Sequence, residues 1–398
     1  MDQPKGYEQD PSLVCKLQKG IYGLKQSSRQ WNLKISKVLA EIGFRQLLSD
    51  HCVYIWHDDG QLSLLCLYVD DGLIASTSMM NLSKTVDHLK RHFSIKEGHS
   101  NCFVGIETRV TDQGLVMHQQ AYARNIQTYV LERFEMGDCK PVKTPGDPHS
   151  ALTEDMCPKT DEERREMENV PYKEEEGALM FLSNVSRPDI AFQVCRAASF
   201  TANPGRQHWQ AVKRIMRYLK GTLEDGIEFK TQNHEVKAFC DADYGANVDN
   251  RKSVSGSVIT RSGGAILWNS RLQRSVAQST TEAEYVAIAE VVKDIAWLHT
   301  MLQELQIDHD IPIKVFSDNQ GAIKLVHNPV FHRRTKHIDI RHHYIRDEQE
   351  NGLIQLDYIR TDEQPADMMT KSLCSPSLEK CKTRIGLSKQ SSSGSVKD

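Results

Sequence analysis

Trp31, Ile35, Val38, Leu39 and Ile42 recur at helical spacing, which predicts a helix within residues 12–48. Residues 52–56 and 62–76 are instead rich in β-branched and apolar residues between turn signals, and read as strands. A second helix is expected over 81–93, opening near Asn81 as a cap, followed by a strand from Phe103 to Val110. The stretch Lys140–Lys159 breaks the pattern with Pro141, Pro145, Pro148 and Pro158 and reads as a linker or wrapping loop. An acid-rich surface stretch, Asp161–Glu176, leads into helices at 177–200 and 206–220.

Beyond Gly221 strands and helices alternate. Strands are expected at 236–241, 254–260, 264–269, 312–317 and 353–359, and helices at 280–305, 319–327, 335–350 and 363–371. Three strands, a long helix and then further alternation predict an α/β fold with a mixed five-stranded sheet and flanking helices. The Ser/Gly/Lys-rich end, Gln390–Asp398, is expected to be disordered.

Composition narrows the function classes. The chain has 398 residues, 50 Lys plus Arg and 53 Asp plus Glu, for a formal charge of −3. A wholly basic nucleic-acid coat is excluded, but local basic patches are not. The longest apolar run, Leu62–Val69, is too short to span a bilayer, and no charged-then-apolar leader opens the chain, so no membrane association is expected. The ten cysteines contain no Cys-x-x-Cys pair, which disfavours a zinc site and a disulfide scaffold and fits a reducing compartment.

Two carboxylate constellations carry the candidate chemistry. Tyr68-Val69-Asp70-Asp71-Gly72 lies between two apolar strand-like runs, a hairpin signal. Adjacent acids there serve either as turn residues or as oxygen ligands for a divalent metal. The second set is dispersed over the C-terminal region. Asp241 ends the strand Val236–Cys240, Glu284 lies early in the long helix, Asp318 ends the strand Ile313–Ser317, and Asp367 lies in the last helix. Strand ends and helix starts are where α/β sheets place functional groups. Glu282 falls where it caps that long helix behind Ser279 or Thr280. Periodicity alone reads Glu284 as a surface charge.

The segments LQKGIYGLKQSSRQWN, LYVDDGLIAS, FVGI (103–106), PYKEEEGALMFLSNVSRPDIAF and NPGRQHWQAVKRIMRYLKGT resemble, in order, the reverse transcriptases of copia-type LTR retrotransposons. D-x-D-Y-G at 241, S-T-T-E-A-E-Y-x-A at 279, F-S-D-N at 316 and A-D-x-x-T-K at 366 resemble the ribonuclease H domain of the same elements. The resemblance implies a Pol polyprotein fragment. Its expected parts are reverse transcriptase palm and thumb over 1–140, a linker and helical connection over 141–232, a ribonuclease H-like domain over 233–380, and a tail over 381–398. Asp70 and Asp71 would be polymerase metal ligands, and Gln26 would lie near template and nucleotide. The family's other polymerase aspartate precedes the segment that resembles Met1–Tyr7, and Asp2, Asp10 and Asp50 are poor substitutes. The polymerase region is therefore expected to be incomplete.

In the ribonuclease H part the resemblance implies that Asp241, Glu284, Asp318 and Asp367 bind Mg²⁺ or Mn²⁺. Glu282 is the alternative to Glu284, and Asp243 is a neighbouring acid. The expected activity is cleavage of the RNA strand of RNA/DNA hybrids, in the cytoplasm. A non-catalytic nucleic-acid-binding remnant is the alternative. Two metal ions bridged by crowded carboxylates suit phosphodiester hydrolysis. Residues 327–346, with Arg333, Arg334, Lys336, Arg341, Arg346 and five histidines, are expected to track phosphates beside this site. The basic helix 206–220 could follow the same duplex. A zinc site of His337, His342 and His343 is not expected. Trp209, Tyr218 and Trp297 read as core or boundary aromatics.

Overall fold

The computed structural model describes residues 1–8, 10, 12–98, 102–133, 139–232, 234–327 and 339–390, with backbone only for 127–133 and 339–342. The chain forms two compact units, Met1–Val104 and Gly105–Asp398.

In the first unit, helix α1 (Ser27–Ile42) buries Ile35, Val38 and Leu39 along one stripe. Its predicted N-terminal extension, 12–26, is irregular instead, and leaves Leu13, Val14, Leu17, Ile21 and Leu24 exposed. Gly43 ends the helix at φ 114°, a left-handed cap that glycine adopts without strain. Four antiparallel strands follow in sheet order: β1 (Arg45–Gln46), β2 (Val53–Asp58), β3 (Gln61–Tyr68) and β4 (Asp71–Ser76). Helix α2 (Met79–His92) is capped by Ser78, whose Oγ accepts from the Asn81 N–H. Asn81, the expected cap, is buried one turn inside. Ile35, Leu39, Phe44, Tyr54, Leu65 and Leu89 form the shared core. A two-residue strand β5 (Cys102–Phe103) follows.

The second unit holds two sheets. The hairpin β6 (Ile106–Thr111) and β7 (Gly114–His118) is followed by α3 (Gln120–Arg133), α4 (Asp161–Glu168), α5 (Tyr172–Val185), α6 (Ala191–Ala198) and α7 (Arg206–Gly221). The helix expected over 177–200 is thus two helices. Pro188 lacks the N–H that an uninterrupted helix needs, and a 3₁₀ turn, Pro188–Ile190, replaces it. Strand β8 (Asp225–Lys230) pairs with β7, and a C-terminal strand pairs with its other edge.

The mixed sheet comprises β9 (Val236–Ala242), β10 (Val254–Arg261), β11 (Gly264–Leu272), β12 (Ile313–Ser317) and β13 (Ile354–Tyr358). Its spatial order is β11-β10-β9-β12-β13. The first three strands run antiparallel, whereas β12 is parallel to β9 and β13 to β12. Between β11 and β12 runs α8 (Thr280–Glu304), whose apolar side, with Tyr285, Ile288, Val292 and Ile295, packs on β9 and β12. Val258 and Ala265 join the core built by α5, α6 and α7. Helices α9 (Gln320–His327) and α10 (Asp339–Glu350) precede β13.

The expected divisions at 140/141 and 232/233 do not coincide with the observed one, because β7 pairs with β8 across the connecting region. The expected tail over 381–398 is also corrected. Helix α11 (Ser375–Arg384) and β14 (Leu387–Lys389) are ordered structure, with Cys381, Ile385 and Leu387 buried in the helical core. Residues 391–398 lie outside the described residues.

Candidate carboxylate site

Asp241 sits at the end of β9, the central strand, and is 3% exposed. Because β12 runs parallel to β9, its end brings Asp318 alongside. The first turns of α8 bring in Glu284, 5% exposed. Carboxylate oxygens of Asp241, Glu284 and Asp318 lie within 4.8 Å of one another. Glu284 Oε2 is buried without a hydrogen-bond partner.

Asp367 comes from a 3₁₀ segment, Pro365–Met369, where a regular helix was expected. Gln364 anchors that segment, its Nε2 donating to Cys240 O at 2.9 Å and Phe316 O at 3.3 Å, the ends of both central strands. Gly256, opposite Asp241 on β10, admits the segment: a Cβ there would stand 2.6 Å from Met369 Cβ and 2.7 Å from Thr370 Cγ2. Lys371 bridges the acids, with Nζ 2.9 Å from Asp367 Oδ1 and 3.6 Å from Asp241 Oδ2. The Thr370 hydroxyl donates to Asp241. The sequence reading singled out neither Gln364 nor Lys371. The Thr-Lys of the A-D-x-x-T-K segment was the available signal for Lys371, and Gln364 had none.

The electrostatics are those of crowded like charges. Burial, and then Asp241 and Asp318, push Glu284 up to about 9. Burial and Asp241 push Asp367 up to about 7 against the pull of Lys371. Burial disfavours the Lys371 ammonium, but Asp241 and Asp367 outweigh it, so that the lysine holds its proton more tightly.

Glu282 turns away from this cluster. Its Oε2 accepts from the Gln278 N–H at 2.8 Å while its own N–H donates to Ser279 Oγ, a capping arrangement. Asp243 accepts from the Ala246 N–H, as a turn acid does.

The other constellation is open. Asp70 and Asp71 are exposed at the β3–β4 tip, where Tyr68 pairs with Asp71. Val69 has φ 55°, a strained value for a β-branched residue, and its carbonyl accepts from Trp31 Nε1. Among the described residues no third acid or histidine completes a metal-sized group with this pair. Gln26 is exposed just before α1.

Arg333, Arg334, Lys336 and His337 lie outside the described residues, and the side chains of Arg341 and His342 are not described. Arg346, expected in that basic surface, instead binds the carbonyls of Leu325 and Val326 at the end of α9. Lys213, Arg214 and Arg217 of α7 line, with Lys140, a cleft of about 720 Å³. Trp209 and Tyr218 are buried core aromatics, and Trp297 is partly exposed.

The first unit thus carries an exposed Asp-Asp hairpin, and the second a mixed sheet on which three carboxylates converge. A family model for reverse transcriptase (RNA-dependent DNA polymerase) matches residues 1–148. The retrovirus-related Pol polyprotein from transposon TNT 1-94 of Nicotiana tabacum is 41% identical over 97% of this chain and 29% of its own length. The corresponding polyprotein from transposon RE2 of Arabidopsis thaliana is 34% identical over 98% of this chain and 26% of its own. A crystal structure of LC11-RNase H1 in complex with RNA/DNA hybrid aligns at 14% identity and TM-score 0.27, covering 34% of this chain and 94% of that one. The chain is similar to these retrovirus-related Pol polyproteins over nearly all of its own length, and spans less than a third of theirs.

Proposed function

We propose that this chain hydrolyses the RNA strand of RNA/DNA hybrids with divalent cations held by Asp241, Glu284 and Asp318, with Asp367 beside them. The observation that carries this reading is the cluster itself. Buried, mutually repelling acids with an unpartnered Glu284 oxygen are costly unless a cation joins them. The donor set is all oxygen, which suits Mg²⁺ or Mn²⁺. Divalent cations bound by these acids would supply an acidified water and neutralise charge on the leaving oxygen.

The chain's own residues do the positioning. Strands β9 and β12 hold Asp241 and Asp318 on a rigid sheet, and α8 fixes Glu284 against them. Gln364 ties the Asp367 segment to both strand ends. Lys371 keeps its proton on Nζ and lends positive charge at the cluster's half-exposed edge, where a phosphodiester arrives. Recognition rests on duplex shape, phosphates and the 2′-hydroxyl. Lys140, Lys213, Arg214 and Arg217 supply basic surface in the same unit for the duplex backbone.

The test is cleavage of a labelled RNA strand in a hybrid, with Mg²⁺, Mn²⁺ or chelator, beside Asp318→Asn. Metal-dependent cleavage that is lost in the variant is expected. A folded wild-type chain that binds hybrid without cutting it would leave the non-catalytic remnant. DNA synthesis by this chain alone is not expected, since Asp70 and Asp71 stand without a third acid among the described residues.

A further inference from the structure

We infer that Glu41, His88 and His92 form a second metal site, of the two-histidine, one-carboxylate type that takes Zn²⁺ or a similar transition-metal ion. The site lies wholly within the first unit and is independent of the proposed nuclease.

His88 and His92 are four residues apart on α2, so their rings share one face. The ring centroids are 4.8 Å apart at 40°. Glu41 reaches them from the last turn of α1. Both imidazoles bring Nε2 close to one carboxylate oxygen: His88 Nε2 lies 3.4 Å and His92 Nε2 3.7 Å from Glu41 Oε2. These separations are long for charge-assisted hydrogen bonds, which run at about 2.7–2.9 Å. They match the edge of a coordination tetrahedron, since ligands about 2.0–2.2 Å from Zn²⁺ stand roughly 3.4 Å apart.

A second observation points the same way. His88 Nε2 is buried and makes no hydrogen bond, so a polar nitrogen within the cluster lacks the partner that burial normally demands. A cation there would satisfy all three groups together. The position favours positive charge too, because His92 sits in the final turn of α2, at the negative end of the helix dipole. Lys90, in the same turn, is drawn off by its ion pair with Glu97.

Three protein ligands leave the fourth position for water. The side chains of Glu41, His88 and His92 are 43%, 22% and 37% exposed, so an ion can enter without unfolding the helices. The missing Cys-x-x-Cys pairs exclude a cysteine-type zinc site, not this one. Its consequence is mechanical: the bound ion clips the end of α1 to the end of α2, beside the Leu39 and Leu89 contacts of the unit's core.

The experiment uses the full chain, stripped with chelator and kept in excess Mg²⁺ to fill the carboxylate cluster. Co²⁺ is titrated while its visible absorption is followed, and Zn²⁺ is titrated in a calorimeter. Wild type and Asp318→Asn should bind one equivalent that His92→Gln and Glu41→Gln lose, or bind at least about tenfold more weakly, the loss that even an outer-shell change produces. Zn²⁺ should raise the unfolding temperature of wild type and not of the variants. Glu41→Gln is a half-exposed, isosteric change, so it decides the matter should His92→Gln fold poorly. Equal Co²⁺ affinity and stoichiometry in wild type and Glu41→Gln would overturn the site.

Discussion

The second unit buries two constellations of charge, and they are built on opposite principles. Behind the helices, Arg187 grips Asp189 with two hydrogen bonds, Nε to Oδ1 at 2.9 Å and Nη2 to Oδ2 at 2.7 Å. Tyr218 donates to the same carboxylate at 2.7 Å, and Lys382 meets Asp225 at 2.8 Å. Burial disfavours the Asp189 carboxylate, but Arg187, Lys382 and Tyr218 outweigh it and hold it below its ordinary range. Two buried acids face two buried bases there, and Lys382 also meets the more exposed Glu379 at 3.1 Å. At the end of the mixed sheet, Asp241, Glu284, Asp318 and Asp367 face Lys371 as the one basic side chain among the described residues. Buried charges that serve the fold come paired, because an unpaired one costs several kcal/mol. The surplus of negative charge at the sheet end is what supports the cation site proposed above.

The sharpest way to break this comparison is to remove a surplus charge. Glu284→Gln should abolish hybrid cleavage, by on the order of 10³-fold, the several kcal/mol that metal-held charge contributes. The fold should survive, since a glutamine copies the protonated carboxyl that the site already favours. A rate assay paired with a thermal melt checks both halves. Retained cleavage would show that the acid cluster is not where the chemistry occurs.

Removing a paired charge should do the reverse. Asp189→Ala leaves Arg187 buried without its partner, and should cost about 3–5 kcal/mol of stability. Denaturant unfolding measures the loss. Cleavage per folded molecule should be unchanged.

The third test is pH. An acid whose pKa is raised on folding holds its proton in the native state over a window where the unfolded chain has already lost it. The folded state then binds more protons, so stability falls as pH rises through that window. For Asp367 the window runs up to about 7, and for Glu284 up to about 9. In chelator the unfolding temperature should therefore decline from roughly pH 5 to pH 9. With Mg²⁺ or Mn²⁺ the decline should flatten, because the cation replaces the proton. An equal slope with and without cation would show that these acids do not bind it. Asp189, with its lowered pKa, makes the opposite contribution, lost only as pH falls through the acid range.

The two constellations also differ in how far the sequence disclosed them. Asp241, Glu284 and Asp318 sit at strand ends and a helix start, and local pattern located those elements to within a few residues, whereas Asp367 lies on a 3₁₀ segment where a regular helix was expected. The capping role of Glu282 was legible as well, because a cap depends only on neighbours in sequence. Arg187, Asp189 and Lys382 were not picked out, since Lys382 comes from α11, in a segment read as tail, and nothing local announces its contact with Asp225. The same limit hid the sheet that joins β6 and β7 to β8 and β14. Pairing across more than a hundred residues leaves no periodic trace. The break between α5 and α6 was different in kind. Pro188 was visible, and the periodic reading ran through it.

The smallest expected effect compares the buried cluster with the hairpin. Asp71 is exposed and pairs across the sheet with Tyr68. Asp71→Asn should change stability by no more than about 0.5 kcal/mol, as exposed substitutions do. Hybrid cleavage should stay at the wild-type rate, because Asp71 belongs to the other unit and to no metal-sized group among the described residues. Parallel rate assays of Asp71→Asn and Glu284→Gln settle the contrast. A drop in both would tie the hairpin to the nuclease. A drop only in Glu284→Gln would separate the hairpin carboxylates from the nuclease chemistry.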